Sequence, residues 1–342
     1  MIPLALVAGF LGSGKTTFLR RMSERNDGRR LAFLVNDFAA VDVDAQLLSQ
    51  LDGEIVSIPG GSIFCRCLAT TFTNALKKIA RLEPAVDGVI IEASGMADPR
   101  SLADVLRETR LDELYELSTV VSLVDPGTFR KLLKTLPAMR AQVECADVVL
   151  LNKTDLFDEA TVQATEEAIR SVRGEIQIAR CVRGDAPVQF FQGISHALKI
   201  HGSLSPCRDD SFLSATFRFR AKCNIGDIAE LLNRYSHILW RAKGFVPTDA
   251  GLMELHWTMR SDKWKVESGK WKVGTAAPTA QVPAEGGKKN FPLSTFHFPL
   301  DGGHLDIQPA TAPTARPALV LIARGDAEEE LGDLVADLRK TH

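Results

Sequence analysis

Gly9-Phe10-Leu11-Gly12-Ser13-Gly14-Lys15-Thr16 follows a short apolar run, Ile2 to Ala8, and precedes a helix-compatible segment from Thr17 to Glu24. The pattern is GxxxxGK[ST] in a strand–loop–helix setting, the context that gives it a phosphate-binding meaning. Glycines at 9, 12 and 14 let backbone N–H groups curl around a polyphosphate with no Cβ in the way. Lys15 can reach the terminal phosphates, the Thr16 hydroxyl suits Mg2+, and the helix that follows turns its positive end to the same anion. The expected nucleotide-binding set here is Gly9, Gly12, Ser13, Gly14, Lys15, Thr16 and Thr17. A chance glycine-rich turn is the competing reading, and the strand before the loop and the Lys-Thr pair behind it argue against that.

Outward from this loop, residues 1 to about 185 alternate short β-rich runs with helical stretches, which predicts an α/β P-loop domain on a mainly parallel sheet. The clearest strands are Leu4–Ala8, Arg30–Val35, Gly88–Glu92, Thr119–Val124 and Val148–Asn152. The runs centred on Val89, Val121 and Val149 are apolar almost throughout, as strands covered on both faces are. Residues 186–210 read as a linker, and 211–342 as a smaller α+β domain on a mainly antiparallel sheet. Its expected strands are 215–220, 238–240, 251–257 and 318–323, with 263–266 as a further one; 225–235 and 327–340 carry helical spacing. The Ala/Pro/Gly/Thr-rich stretch at about 270–316 is expected to be mostly a long loop.

Composition narrows the class of function. A chain of 342 residues with 45% hydrophobic content has ample material for a large core. A net charge of −2 offers no basic field for nucleic acid or an anionic membrane surface. No apolar run approaches the roughly 20 residues that span a bilayer, and Lys15 and Arg20 interrupt the apolar N-terminus too early for a secretion signal. Six cysteines in a chain this long make no disulfide scaffold. A cytoplasmic, reducing location is expected.

Asn152-Lys153-Thr154-Asp155 comes directly after a buried strand. In guanine-nucleotide binders Asn-Lys-x-Asp at this place reads the base: the Asp carboxylate accepts from the ring N–H and the exocyclic amine, and the Lys stem covers the base face. Two hydrogen bonds to a charged group, at about 1.5–3 kcal/mol each, give roughly 10²–10⁴-fold discrimination against adenine. The bland alternative is a strand-to-helix turn capped by Asp155. Between the two motifs, Val89-Ile90-Ile91-Glu92-Ala93-Ser94-Gly95 is an apolar strand ending in an acid, with glycine three residues on. Glu92 suits Mg2+, directly or through water, and Gly95 lets a backbone N–H approach a γ-phosphate. A helix-capping role for Glu92 is the alternative. Lys15, Glu92 and Gly95 are the expected catalytic residues.

Further segments sharpen the reading. They are Val35-Asn36-Asp37-Phe38 followed by Asp44, the run Ile91 to Pro99, Gln142, Ala146-Asp147, Asn152 to Leu156, and Arg241-Ala242-Lys243-Gly244-Phe245 in the second region. Together they resemble the CobW-type metallochaperone GTPases, relatives of the urease and hydrogenase nickel-insertion GTPases. The resemblance covers nearly the whole chain outside 270–316. It implies GTP and Mg2+ as ligands, slow GTP hydrolysis, and delivery of zinc or another transition metal to a client metalloprotein, with a GTP-dependent homodimer as a further implication.

The departure from that family falls at the metal motif. Where the family has Gly-Cys-x-Cys-Cys, this chain reads Gly61-Ser62-Ile63-Phe64-Cys65-Arg66-Cys67. By register only Cys65 matches, with Cys67 offering a thiol two residues on. Asp37 stands for the usual Glu, and Ala39-Ala40 for Gly-Glu. Cys65, Cys67 and Asp37 are the candidate transition-metal ligands, since zinc takes thiolate and carboxylate ligands tetrahedrally. A metal-free, GTP-dependent regulator that docks on a partner remains the alternative, as does a thiol-redox role. The other cysteines (145, 181, 207, 223) are expected to be structural thiols, and His237, His256, His297 and His304 lack metal-pair spacing.

Overall fold

The computed structural model describes residues 1–25, 28–37, 53–59, 62–204, 212–259, 264–267, 270–273, 296–299, 303–310 and 315–341. The apolar run at the N-terminus becomes β1 (Ile2–Gly9), in which Leu4 to Ala8 are all 0% exposed. It is the middle strand of a seven-stranded sheet completed by β2 (Leu31–Asp37), β3 (Gly53–Pro59), β4 (Gly88–Glu92), β5 (Tyr115–Val124), β6 (Val148–Leu151) and β7 (Gln177–Arg180). Their order is β3-β2-β4-β1-β5-β6-β7, and every pairing is parallel. Alternate residues of β1 feed two cores. Leu4 and Leu6 pack with Phe72, Leu76 and Leu106 on one face, and Ala5 and Val7 pack with Phe18, Leu19 and Leu123 on the other. The order reverses at β1, with β4 and β5 on its two sides. That is the switch point of an open α/β sheet, where ligands bind beyond the carboxyl ends of the strands.

Helices α1 (Lys15–Glu24), α2 (Ala69–Ile79), α3 (Leu102–Glu108), α4 (Phe129–Leu132), α5 (Pro137–Cys145) and α6 (Glu159–Val172) accompany this sheet. Strands β3 and β7 add to those read most clearly from sequence; β7 is a half-exposed edge strand, which weakens its apolar signal. The described part of the expected linker, 186–204, is instead part of the first unit. Phe190 meets Phe18 with ring centroids 5.9 Å apart. The Ser195 hydroxyl donates to Asp147 Oδ2 at 2.7 Å, and the His196 N–H donates to Asp147 Oδ1 at 2.8 Å. The chain divides into Met1–Arg208 and Asp209–His342.

The second unit carries β8 (Phe212–Arg218), α7 (Ile225–Arg234), β9 (Leu239–Thr248), β10 (Gly251–Met259), β11 (Trp264–Glu267), β12 (Lys270–Val273), β13 (Phe296–Pro299), β14 (Gly303–Pro309), β15 (Ala318–Arg324) and α8 (Glu328–Leu338). Six strands form an antiparallel sheet ordered β13-β14-β10-β9-β15-β8, and β11 with β12 makes a separate two-stranded ribbon. The long loop expected at 270–316 is corrected here: β12, β13 and β14 lie within it. In β14, Leu305 and Ile307 are buried while Asp306 between them is exposed, a period-2 signal set inside a loop-like composition. The Arg241–Phe245 segment is the middle of β9. A Cβ on Gly244 would collide with the Ala318 carbonyl of the neighbouring β15, so the close approach of these strands requires glycine. Among the described residues no helix is long and apolar enough to cross a membrane.

Candidate functional site

The phosphate loop leaves the carboxyl end of β1 and enters α1 at Lys15. Gly14, with φ 103°, sits before the helix with no side-chain cap, so the first amides of α1 are presented to the loop's hollow. A side chain at Gly14 would strike the Asn152 amide nitrogen, and one at Gly9 would lie 2.5 Å from the Leu123 carbonyl. Lys15 is buried, and its ammonium donates to the Gly9 and Phe10 carbonyls at 2.8 and 3.2 Å, so the cation lies folded over the loop. The Ser13 hydroxyl oxygen is buried with no hydrogen-bond partner among the described residues. An orphaned hydroxyl inside a glycine cradle, with a cation and the N-terminal amides of a helix around it, fits a polyphosphate. Thr17 is exposed, one position beyond the hollow.

Thr16 donates its hydroxyl to Glu92 Oε1 at 3.0 Å, and both residues are buried. A hydroxyl and a carboxylate side by side at the helix start are a donor set that suits Mg2+, a hard cation that keeps oxygen ligands. Glu92 ends β4 and is no helix cap. After it, Gly95 packs on the phosphate loop: an added Cβ would lie 2.6 Å from the Leu11 nitrogen. The far side of this loop is held by Gln142, whose amide donates to the Gly95 and Ala97 carbonyls at 3.2 and 3.1 Å.

The loop from Asn152 to Asp155 is bolted to the phosphate loop. Asn152 Nδ2 donates to the Ser13 carbonyl at 2.8 Å, and Asn152 Oδ1 accepts from the Gly184 N–H at 2.9 Å. Asn152 is 1% exposed, so the structure uses it to position loops rather than to touch a base. Lys153 has φ 60°, and its ammonium meets Asp125 Oδ2 at 2.8 Å; Asp125 Oδ1 accepts from the Gly127 N–H at the same distance. Asp155 is exposed at the turn Thr154–Leu156, open to a ligand. Asp125 is absent from the sequence reading. Its signal is the one that singled out Glu92, an acid directly after a buried parallel strand.

The cysteine loop leaves β3 on the same edge of the sheet. Cys65 is buried and Cys67 exposed, with their sulfurs 2.6 Å apart. Ile63 and Phe64 are both 0% exposed, and Phe64 meets Phe72 edge-on at 6.3 Å. The position where the resemblance would place another cysteine is therefore a core aromatic. Asn36 Oδ1 accepts from the Ile63 N–H at 2.9 Å and from the Ser94 N–H at 3.3 Å. Among the described residues no three His, Cys, Asp or Glu side chains are grouped to hold a metal. The Asp37 side chain, Asp44 and Cys207 lie outside the described residues. Burial pushes the thiols of Cys145 up to about 12 and those of Cys181 and Cys223 to about 11, as inert structural cysteines.

Geometry and motif together define a P-loop nucleotide-binding protein of a GTPase family. The profile of the CobW/HypB/UreG nucleotide-binding domain matches residues 3–180, and the chain belongs to that family. It is similar to the zinc chaperone CobW of Pseudomonas aeruginosa, 26% identical over 241 residues that cover 61% of this chain and 64% of that one. It is also similar to the zinc chaperone YjiA of Escherichia coli, 30% identical over 188 residues covering 54% and 58%. The match to the zinc-regulated GTPase metalloprotein activator 1 of Dictyostelium discoideum is 27% over 228 residues, covering 55% and 47%. The matched stretch thus spans less than two thirds of each of these relatives.

Proposed function

We propose that this chain is a GTP-hydrolysing switch that holds a transition metal, zinc in the first instance, and passes it to a client metalloprotein. The observation that carries this reading is that the Cys65 and Cys67 sulfurs face one another at the carboxyl end of the sheet that carries the phosphate loop, two thiols that would open to about 3.8 Å around a tetrahedral zinc. Lys15 and the amides from Gly12 to Thr16 hold the β- and γ-phosphates. Thr16 and Glu92 hold Mg2+, with Glu92 bound directly or through water. Bound there, the metal neutralises phosphate charge as it does in P-loop enzymes generally. Gly95 brings its N–H to the γ-phosphate side, Asp155 reads guanine, and the Lys153 stem covers the base. Gln142 is engaged by the Gly95 and Ala97 carbonyls, so it does not position water, and turnover by the chain alone is expected below about 1 s⁻¹.

Cys65 and Cys67 supply two thiolates, and Asp37 is the next ligand by sequence. GTP-dependent pairing of two copies and docking of a client belong to the same proposal. Zinc affinity tests it, by chelator competition with Mg2+ and a non-hydrolysable GTP analogue and then with GDP. One-to-one binding that weakens in GDP is the expected result. Weak binding indifferent to nucleotide would favour a second reading, a metal-free regulator that docks on a partner in its GTP state. Phe64 supports that second reading, because its burial removes one position from any metal site.

A further inference from the structure

We propose that Asn36 is the positioning residue through which the nucleotide-facing loop 94–97 controls the cysteine loop 62–67. This rests on the nucleotide reading above and requires no metal. Asn36 is 3% exposed near the carboxyl end of β2, between β3 and β4 in the sheet. Its Nδ2 donates to the Ile58 carbonyl at 3.0 Å, which fixes the carboxamide against β3. The single oxygen on its other end accepts from two different loops, from the Ile63 N–H at 2.9 Å and from the Ser94 N–H at 3.3 Å. One carbonyl oxygen has two lone pairs and so can serve both donors. A shift of either donor changes what the oxygen offers the other.

Each loop is then tied to something of its own. On the nucleotide side, Gly95 is seated so closely on Leu11 of the phosphate loop that no side chain fits between them, and Gln142 holds the Gly95 and Ala97 carbonyls. A γ-phosphate that draws the Gly95 N–H toward it must also pull on Ser94, the neighbour held by the longer of the two bonds. On the cysteine side, Ile63 and Phe64 anchor the loop in the core, while the Cys65 N–H closes a turn on the Ser62 carbonyl at 2.9 Å. The solvent-exposed end of the loop is Cys67, whose sulfur meets that of Cys65. Leu11, Gly95, Ser94, Asn36, Ile63 and Cys67 thus form one contiguous series. A purely structural Asn36 would join the same loops but would not transmit the nucleotide's state.

The test uses Cys67 as its own reporter. The full-length protein with Mg2+ is treated with iodoacetamide in GDP and in a non-hydrolysable GTP analogue, and labelling at Cys67 is read by peptide mass. The wild type is expected to show rates that differ by at least about fivefold between the two nucleotides, the lower end of ordinary coupling. Asn36→Ala is expected to bring that ratio to about one while still binding GDP. A second, equilibrium measurement on the wild type alone reads the link from the other side: carbamidomethylation of Cys67 is expected to change the ratio of affinities for the two nucleotides. Nucleotide binding with a wild-type ratio of one, an Asn36→Ala ratio equal to the wild type's, or an unshifted preference after alkylation overturns the proposal. Failure of the wild type to bind either nucleotide removes the underlying reading as well, and a direct binding measurement tells the two failures apart.

Discussion

Lys153 adopts φ 60°, a conformation that costs a residue with a Cβ, and its ammonium is held 2.8 Å from Asp125 Oδ2. The pair is largely shielded, at 23% and 12% side-chain exposure, so it is more than a screened surface contact. With its head fixed, the Lys153 stem is held rigid for the proposed role of covering a base. Asp125→Asn keeps an oxygen for the Gly127 N–H and loses only the charge that holds Lys153. A charge-assisted hydrogen bond of about 1.5–3 kcal/mol implies roughly a tenfold or greater loss of GDP affinity. Inorganic tripolyphosphate, which has no base, should bind unchanged, and calorimetry with both ligands checks this. Glu92 was legible in the sequence because a buried strand ending in an acid is a local pattern. Asp125 carries that same local pattern, but its partner lies 28 residues away, just beyond the end of the next strand, so nothing nearby marks it as important. Asn152 shows the opposite case. Its motif is local and easily read, yet its amide is turned inward to the Ser13 carbonyl and the Gly184 N–H.

At the scale of elements, the cysteine loop and the segment after β7 show how cores and caps decide what a motif can do. Phe64 is in the core with Phe72, so restoring a thiol there does not restore a ligand. Phe64→Cys is expected to lower stability by about 3 kcal/mol, as large-to-small core changes do, with zinc affinity unchanged. Urea unfolding and chelator competition on the one variant separate the two effects. Segment 196–204 is tied down at α3 by Asp104, whose carboxylate accepts from the Gly202 N–H at 3.0 Å and faces His201 and Arg107. Desolvation works to raise Asp104, and these three partners overrule it, holding its carboxyl down to about 2. The folded value lies below the ordinary 3.8, so the contribution is complete above that pH and is lost as pH falls toward 2. Pepsin cleavage within 196–204, measured relative to an unfolded control substrate at each pH, should therefore rise between about pH 4 and pH 2, and Asp104→Asn should already raise it at about pH 4.

At the scale of the whole molecule, every residue of the proposed nucleotide site and both cores of the parallel sheet belong to Met1–Arg208. A unit with its own core is expected to fold alone. A fragment of residues 1–208 should unfold in one cooperative transition and bind GDP within about threefold of the full chain, a difference of less than about 1 kcal/mol. Equilibrium binding and thermal melting measure this, and a fragment that aggregates or loses GDP would show that the second unit is needed for the first.

By itself the sequence determined the α/β P-loop domain, the antiparallel α+β domain after it, the glycine-rich loop after β1 and the Asn152–Asp155 turn after β6. Each of these is written in consecutive residues, where glycine conformation, apolar periodicity and short spacing act directly on the local backbone. The β14 strand escaped because its two inward residues are a short alternation within a stretch of loop-like composition. Only the tertiary structure decided that Phe64 is core, that Asp125 holds Lys153, and that Asn36 joins the amides of Ile63 and Ser94, 27 and 58 residues away. Those contacts depend on the strand order β3-β2-β4-β1-β5-β6, which brings distant loops to one edge of the sheet. No window of neighbouring residues contains that order, because it is set by how the strands bury their faces together.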